Sequence, residues 1–238
     1  MDPALAAAFE ETWPAAEYAD AGGFRVGRGL GAGGRVGSAR PAGPWSAADI
    51  PAAEAIHRGW GQRPIFRVPD GDRALIAALE ESGFRHEAPT AIMAAPVALL
   101  TDLSPPPVTA FAVWPPLAIQ REIWSAGGIG AARQAVMARA PHPKAALLGR
   151  MDDRAAGAGF VALHGPVAMV HGIEVVPDFR RRGMAGWLMR QAGFWAAERG
   201  AERIGLAVSR ANAGARATYD RLGFVEVAGY GYYARESG

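Results

Sequence analysis

The strongest hydrophobic patterns in the chain lie between residues 167 and 209. Residues 167–176 are apolar and rich in β-branched side chains, which predicts a buried strand that ends at Pro177, because proline supplies no N–H to a ladder. From residue 184 onward, apolar positions recur at spacings of four, four and three, which predicts one face of a helix. These positions are Met184, Leu188, Ala192 and Trp195. Residues 203–209 are apolar again, so the region predicts a strand, a helix and a second strand.

Shorter patterns predict a mixture of helices and strands over the rest of the chain. The remaining predicted helices are 3–13, 46–57, 73–82, 115–124, 130–140 and one from Asn212 to about Leu222. The remaining predicted strands are 24–26, 35–40, 64–69, 84–93, 145–150, 157–163, 224–228 and 230–234. Asp72 is predicted to cap the helix that Gly83 ends.

A proline-rich segment divides the chain. Thr101–Val108 contains three successive prolines and predicts a semi-rigid linker between two apolar regions. We therefore predict an N-terminal domain over residues 1–103, a linker over 104–107 and a C-terminal domain over 108–238.

Composition excludes several functional classes. The chain has 238 residues, a formal net charge of +2 and no cysteine, so disulfides, cysteine-ligated zinc and an acyl-cysteine intermediate are excluded. The five histidines are scattered, which predicts no metal site. The longest basic run is Arg180–Arg182, and no run of about 18 apolar residues occurs, so neither nucleic acid nor a membrane is indicated as a partner. We expect a cytoplasmic protein.

The turn between the first strand and the helix is suited to an anion. Residues 180–186, called the anion turn below, combine three arginines with Gly183, Ala185 and Gly186. Small residues let successive backbone N–H groups converge, and the positive end of the helix dipole lies at the same point. Arginine forks match phosphate oxygens. These features predict a site for a phosphate or a pyrophosphate.

Two motifs in this region resemble those of a known family. Arg180-x-x-Gly183-x-Ala185 resembles the acyl-CoA motif Q/R-x-x-G-x-G/A of the GNAT superfamily of N-acetyltransferases. The run from Asn212 to Phe224 resembles the family element N-x-x-A-x-x-x-Y-x-x-x-G-F at every named position. The resemblance implies an α/β (α+β) fold with a mixed, mostly antiparallel sheet flanked by helices, and acetyl-CoA as acyl donor.

The resemblance also implies which residues bind the donor. Backbone groups of Val175 and Val176 would pair with its pantetheine arm, and the anion turn would hold its pyrophosphate. Asn212 would fix the donor from the next helix, and Arg216 is one turn further along. The implied donor-binding residues are Val175, Val176, Arg180, Arg181, Arg182, Gly183, Met184, Ala185, Gly186, Asn212 and Arg216.

Two residues are candidates for proton transfer. The Tyr219 phenol can protonate a leaving thiolate, and it lies two helical turns from Asn212, on the same face. Glu174 is an acidic residue inside an apolar strand and is the preferred general base. His171 and a water chain remain alternatives, and the strand alternation predicts that His171 and Glu174 lie on opposite faces.

Two further patterns concern the N-terminal half. Gly29-x-Gly31-x-x-Gly34 matches a dinucleotide fingerprint, but the predicted strand after it leaves no helix for a pyrophosphate, so it is interpreted as a hairpin. When Gly83-Phe84 is aligned with Gly223-Phe224, Asp72 aligns with Asn212 and Leu79 with Tyr219. This internal similarity predicts a tandem arrangement with a degenerate N-terminal unit that has lost the anion turn.

The combined prediction is an acetyl-CoA-dependent N-acetyltransferase. Its acceptor would be a primary amine of a small molecule or a peptide, attacking directly in a ternary complex, since no cysteine can carry the acyl group. Trp114, Glu122 and Trp124 are candidate acceptor-pocket residues. The alternative is a non-catalytic acyl-CoA-binding or structural module of the same fold.

Overall fold

The computed structural model describes residues 1–235, which form eight α-helices and eleven strands. The helices are α1 (Pro3–Glu11), α2 (Gly34–Gly37), α3 (Asp49–Gly59), α4 (Arg73–Glu81), α5 (Ala118–Ala126), α6 (Ala131–Arg139), α7 (Met184–Ala197) and α8 (Ala213–Arg221). The strands are β1 (Glu17–Ala21), β2 (Phe24–Arg28), β3 (Ala39–Pro41), β4 (Ile65–Pro69), β5 (Arg85–Pro96), β6 (Ala110–Val113), β7 (Lys144–Met151), β8 (Arg154–His164), β9 (Val167–Val175), β10 (Arg203–Ser209) and β11 (Val225–Ala234).

These elements fold into two compact units whose segments are interleaved in the sequence. Unit 1 comprises residues 1–13, 92–208 and 212–227, and unit 2 comprises residues 14–91, 209–211 and those from 228 onward. Residues 92–103 and 108–208 therefore pack in the same unit. The boundaries of the compact units differ from those of the predicted domains 1–103 and 108–238. The predicted domains concern how the sequence divides into two related parts, and they stay a prediction.

Unit 1 is built on strands in the order β5-β10-β9-β8-β7-β6. β10 pairs with β9 in parallel, and the strands from β9 to β6 pair antiparallel. Helix α7 packs on one face through the buried side chains of Met184 and Leu188, which lie beside Gly149 and Gly157 of the sheet. A Cβ at Gly149 would lie 2.3 Å from the Met184 sulfur, and a Cβ at Gly157 would lie 2.8 Å from the Glu174 carbonyl oxygen, so both strand positions favour glycine. The N-terminal end of α7 is thereby fixed at the end of β9.

Unit 2 is built on strands in the order β1-β2-β3-β4-β11-β5. β3 runs parallel to β4, as β9 does to β10, and β11 pairs with β4 antiparallel. Its core is an apolar cluster centred on Phe24, Phe66 and Phe84, whose rings contact edge to face. The sheet of each unit is mostly antiparallel, as the sequence predicted.

The predicted internal repeat is visible in the matching ends of two helices. Asp72 and Asn212 cap α4 and α8 with the same backbone angles, φ −84° and ψ 73°, and each side-chain oxygen accepts from the N–H three residues on. Gly83 and Gly223 end the two helices at φ 85° and 82°. Each aligned pair is 140 positions apart. The two units thus share a strand-helix-strand repeat.

Three sequence predictions differ from the structure. Residues 35–40 do not form one strand: α2 covers Gly34–Gly37, and β3 begins at Ala39. The two predicted C-terminal strands are one continuous strand, β11, in which the Gly229 carbonyl accepts from the Asp70 N–H at 3.1 Å. β1 and β6 were not predicted: β1 is mostly polar and exposes most of its side chains, and β6 is an apolar run of only four residues, all half-buried.

Among the described helices, none has the length and the apolar character needed to cross a bilayer.

Candidate active site

A cavity of about 880 Å³ opens in unit 1 between the end of β9, the start of α7 and one face of α8. Its lining brings together most of the predicted donor-binding residues with both predicted proton-transfer residues. Those present are Glu174, Val175, Arg180, Arg181, Gly183, Met184, Ala185, Gly186, Asn212 and Tyr219. Val176, Arg182 and Arg216 are not among the lining residues.

The anion turn has a backbone shape that directs N–H groups toward the cavity. Arg181 and Gly183 adopt left-handed conformations, with φ 62° and 88°. Gly183 is the N-cap of α7, and the first intrahelical bond runs from the Trp187 N–H to its carbonyl. Helix geometry therefore leaves the N–H groups of residues 184–186 without intrahelical acceptors. No acidic residue occupies the first turn of α7.

These features fit a pyrophosphate group. Converging N–H groups, the positive end of a 14-residue helix and the two arginines of the turn that line the cavity, Arg180 and Arg181, form a site for a multiply charged anion. A Cβ built on Gly183 or Gly186 would meet nothing within 4 Å, so the turn leaves open space on the cavity side. Both the chemistry and the available space therefore suit the anionic part of an acyl-CoA.

Two of the predicted arginines are engaged elsewhere. The Arg182 guanidinium is 2.9 Å from the Asp152 carboxylate and stacks over Phe179. The Arg216 guanidinium is 3.1 Å from the Glu226 carboxylate. Their roles in donor binding stay predictions. Arg221, Thr218 and Phe179 line the cavity without having been predicted, since the family motif leaves their positions unspecified.

A β-bulge at Gly172 places Glu174 and His171 on the same face of the sheet, whereas opposite faces were predicted. Along β9, Glu174 pairs with Ala158 and His171 pairs with Phe160, so β9 has one more residue than β8 over this span. Ala158 and Phe160 lie on one face of β8, so their partners Glu174 and His171 also share a face. The prediction of opposite faces was wrong, because period-two alternation assumes an unbroken ladder.

Trp124 holds the bulge rather than lining a pocket. Its ring is fully buried, and its Nε1–H donates to the Gly172 carbonyl at 2.8 Å. Gly172 adopts φ 57°, and a Cβ there would lie 3.0 Å from Met137.

Glu122 is exposed and Trp114 is half-buried. Lys144 lies 4.4 Å above the Trp114 ring, and burial lowers its pKa.

Glu174 is enclosed by polar and backbone groups. Its side chain is 19% exposed and accepts from Arg180 Nη2 at 3.0 Å. The carboxyl group packs against Gly127, the C-cap of α5, where a Cβ would lie 2.4 Å from the Glu174 Cδ. Arg180 also donates from Nε to the Val175 carbonyl at 2.9 Å. One guanidinium therefore binds both the candidate base and the strand beside it.

His171 is buried on the same sheet face but is absent from the cavity lining. Its ring stacks between Phe160 and Trp13, with a centroid distance of 4.8 Å to Trp13. Thr12 Oγ1 donates to the Ala8 carbonyl at 2.6 Å, so at 3.0 Å it accepts from His171 Nε2. This network assigns the proton to Nε2 and shows that α1 supports the strand.

Tyr219 lines the cavity with a side chain that is largely buried. Its ring is 8% exposed and packs on Phe224 at 5.9 Å between centroids. Among the described residues, none forms a hydrogen bond with its hydroxyl. Burial raises the pKa of Tyr219 to about 12, so the phenol keeps its proton throughout the physiological pH range.

The equivalent turn in unit 2 is filled by the chain itself. Helix α3 follows β3 as α7 follows β9, and its first residue is Asp49. The Asp49 carboxylate accepts from the N–H groups of Ser46 and Gly23 at 2.8 and 3.3 Å, and these bonds lower its pKa. A carboxylate thus binds backbone N–H groups just before α3, in the segment that corresponds to the anion turn of unit 1. We expect unit 2 to bind no acyl-CoA.

The matched caps of α4 and α8 allow the donor-binding role of Asn212 to be isolated. Asp72→Ala and Asn212→Ala each remove one cap bond, so each is expected to lower the free energy of unfolding by about 1 kcal/mol. Only Asn212→Ala should weaken acetyl-CoA binding, because Asn212 lines the cavity. Denaturant unfolding and calorimetric titration of both variants check this. Equal donor affinities in the two variants would show that Asn212 acts only as a helix cap and does not bind the donor.

Comparisons with known proteins agree with this geometry. Residues 109–224 match the model of the acetyltransferase (GNAT) family. None of the curated proteins compared with the chain matches it.

Solved structures share the fold at low sequence identity. A GCN5-related N-acetyltransferase from Kribbella flavida is 18% identical, with a TM-score of 0.73 over 99% of this chain and 94% of that one. A tandem GNAT protein from the clavulanic acid biosynthesis pathway is 15% identical, with a TM-score of 0.62 over 84% of this chain and 75% of that one. The tandem neighbour is consistent with a degenerate N-terminal unit. The family match, the fold and the two motifs together show that residues 109–224 belong to the GNAT family of acetyltransferases.

Proposed function

We propose that the protein transfers an acetyl group from acetyl-CoA to a primary amine of a small molecule or a peptide. The observation that carries the proposal is the cavity that combines the anion turn with Glu174 and Tyr219. An anion site alone would suit any nucleotide, whereas a proton acceptor and a proton donor in the same cavity suit acyl transfer.

The chain's residues have complementary roles in the reaction. The N–H groups of residues 184–186 and Arg181 hold the pyrophosphate, and Asn212 fixes the donor from α8. Glu174 takes a proton from the amine, whose nitrogen then forms a bond to the acetyl carbon as the carbon–sulfur bond breaks. Tyr219 donates to the departing sulfur. One proton leaves nitrogen and one reaches sulfur, so the transfer is balanced.

The magnitude of the pKa of Tyr219 decides how it acts. A phenol with a pKa of about 12 is a weak acid toward a thiolate of pKa about 8.5. Tyr219 therefore acts first as a hydrogen-bond donor that stabilises the charge developing on sulfur, and complete proton transfer follows the loss of the amine proton.

The function is tested by calorimetric titration of acetyl-CoA into the full chain, followed by a screen of amines. We expect micromolar-range binding with one site per chain, since Asp49 fills the corresponding turn of unit 2. Release of free CoA in the presence of polyamines, aminoglycosides or peptides would then identify the acceptor class.

Each outcome separates the candidate functions. Binding with no CoA release above background for any amine favours the alternative, a non-catalytic acyl-CoA-binding module. No binding excludes both functions. Two sites per chain would show that unit 2 keeps a working anion turn, contrary to the arrangement of Asp49.

A further inference from the structure

Arg180 contacts two groups that the proposed reaction requires to be available. Its Nη2 donates to Glu174 Oε1 at 3.0 Å, and its Nε donates to the Val175 carbonyl at 2.9 Å. Glu174 is the proposed base, and Val175 lies on the cavity wall where the pantetheine arm is expected. Arg180 is 55% exposed, so its guanidinium is free to change position at small cost.

The surroundings of Glu174 make this ion pair important. The carboxyl group packs on Gly127 at the C-terminal end of α5, where the helix dipole places partial negative charge. No other cation among the described residues forms a salt bridge with it. Arg180 is therefore the cation, among the described residues, that is paired with this carboxylate.

The anion turn offers Arg180 a competing partner. Arg180 is three residues before the αL residue Gly183 and lines the same cavity as the N–H groups of α7. A pyrophosphate bound there carries more charge than one carboxylate and accepts the guanidinium through several oxygens. Donor binding and the Glu174 ion pair therefore compete for one side chain.

We infer that Arg180 is a switch that couples donor binding to activation of the base. Before the donor binds, Arg180 holds Glu174 and the Val175 carbonyl. When the donor binds, Arg180 moves to the pyrophosphate, the strand edge becomes available, and Glu174 is released to accept a proton from the amine. Arg180 is thus a positioning residue for Glu174 as well as a donor-binding residue. This inference rests on the proposed function.

The competition predicts that removing the charge of Glu174 improves donor binding. Glu174→Gln should bind acetyl-CoA about 2- to 5-fold more tightly, the range expected from a partly exposed ion pair. The same variant should lose about 100-fold or more in kcat, because the base is removed. Tighter binding with slower turnover is a combination that general loosening of the structure would not produce.

Two further variants complete the calorimetric test. In an Arg180→Gln background, which keeps a donor for Val175 but no charge, Glu174→Gln should no longer change donor affinity. Glu198→Gln is the matched control, since it removes the same charge from the Arg199 pair at the far end of α7 and should leave affinity unchanged.

The outcomes distinguish this inference from the proposed function. Unchanged or weaker donor binding by Glu174→Gln, or an improvement that persists without Arg180, would overturn the switch while leaving the transferase intact. An equal improvement in the donor affinity of Glu198→Gln would show that the effect comes from the net charge of the protein. Failure of the wild-type chain to bind acetyl-CoA would instead overturn the proposed function itself.

Discussion

Gly183→Asp is expected to weaken acetyl-CoA binding by at least about 100-fold. The aspartate would place a negative charge beside the converging N–H groups of residues 184–186, where the pyrophosphate is expected. Two like charges about 4 Å apart near a protein surface repel by about 4 kcal/mol, and 2.7 kcal/mol already corresponds to 100-fold in affinity. Calorimetric titration at low and at high salt measures the loss and its screening.

Gly183→Asn is the control that separates charge from shape. Asparagine has almost the same volume as aspartate, and both tolerate the left-handed φ of 88° better than other side chains do. A Cβ at Gly183 would meet nothing within 4 Å, so the steric cost is the backbone strain at φ 88°, which the two variants share. We expect a loss of about 10-fold or less for Gly183→Asn. Equal losses in both variants would show that this turn does not hold an anion.

The sequence was most informative where local chemistry determines local structure. The helix α7 after an apolar strand, the cap at Asp72 and the strand Arg203–Ser209 follow from residue types within a few positions, and all are present. The family motif indicated Tyr219, the acidic position inside an apolar strand indicated Glu174, and both side chains line the cavity. Each of these features depends on short-range spacing.

The features that the sequence did not predict depend on contacts between distant residues. The bulge at Gly172 is bound through its carbonyl by the Trp124 indole, 48 positions away, and it places His171 on the sheet face that Glu174 occupies. The support of His171 by Thr12 spans 159 positions. Asp49 fills the turn of unit 2 only because Gly23 lies beside it. No periodicity within a single segment carries such information.

Tyr219→Phe is expected to lower kcat by about 100-fold and to leave donor affinity unchanged. The lost hydroxyl would no longer stabilise charge on the departing sulfur, and general acid catalysis contributes about 10²–10⁴-fold. The lower end applies because a pKa of about 12 makes Tyr219 a weak acid. No described residue bonds to the hydroxyl, so stability should change little. Steady-state kinetics with calorimetry and thermal unfolding test this, with Tyr18→Phe as a control outside the cavity.

The pH profile of kcat gives an independent test of the same role. An acid acts in its protonated form, so its contribution is complete below its pKa and is lost as pH rises through that value. Because burial raises the pKa of Tyr219 to about 12, its ionisation should cause no decline in kcat between pH 7 and 10. An alkaline decline near pH 8 or 9 that disappears in Tyr219→Phe would contradict the buried, protonated phenol. A flat alkaline profile with a 100-fold lower plateau in the variant would identify Tyr219 as the donor to sulfur.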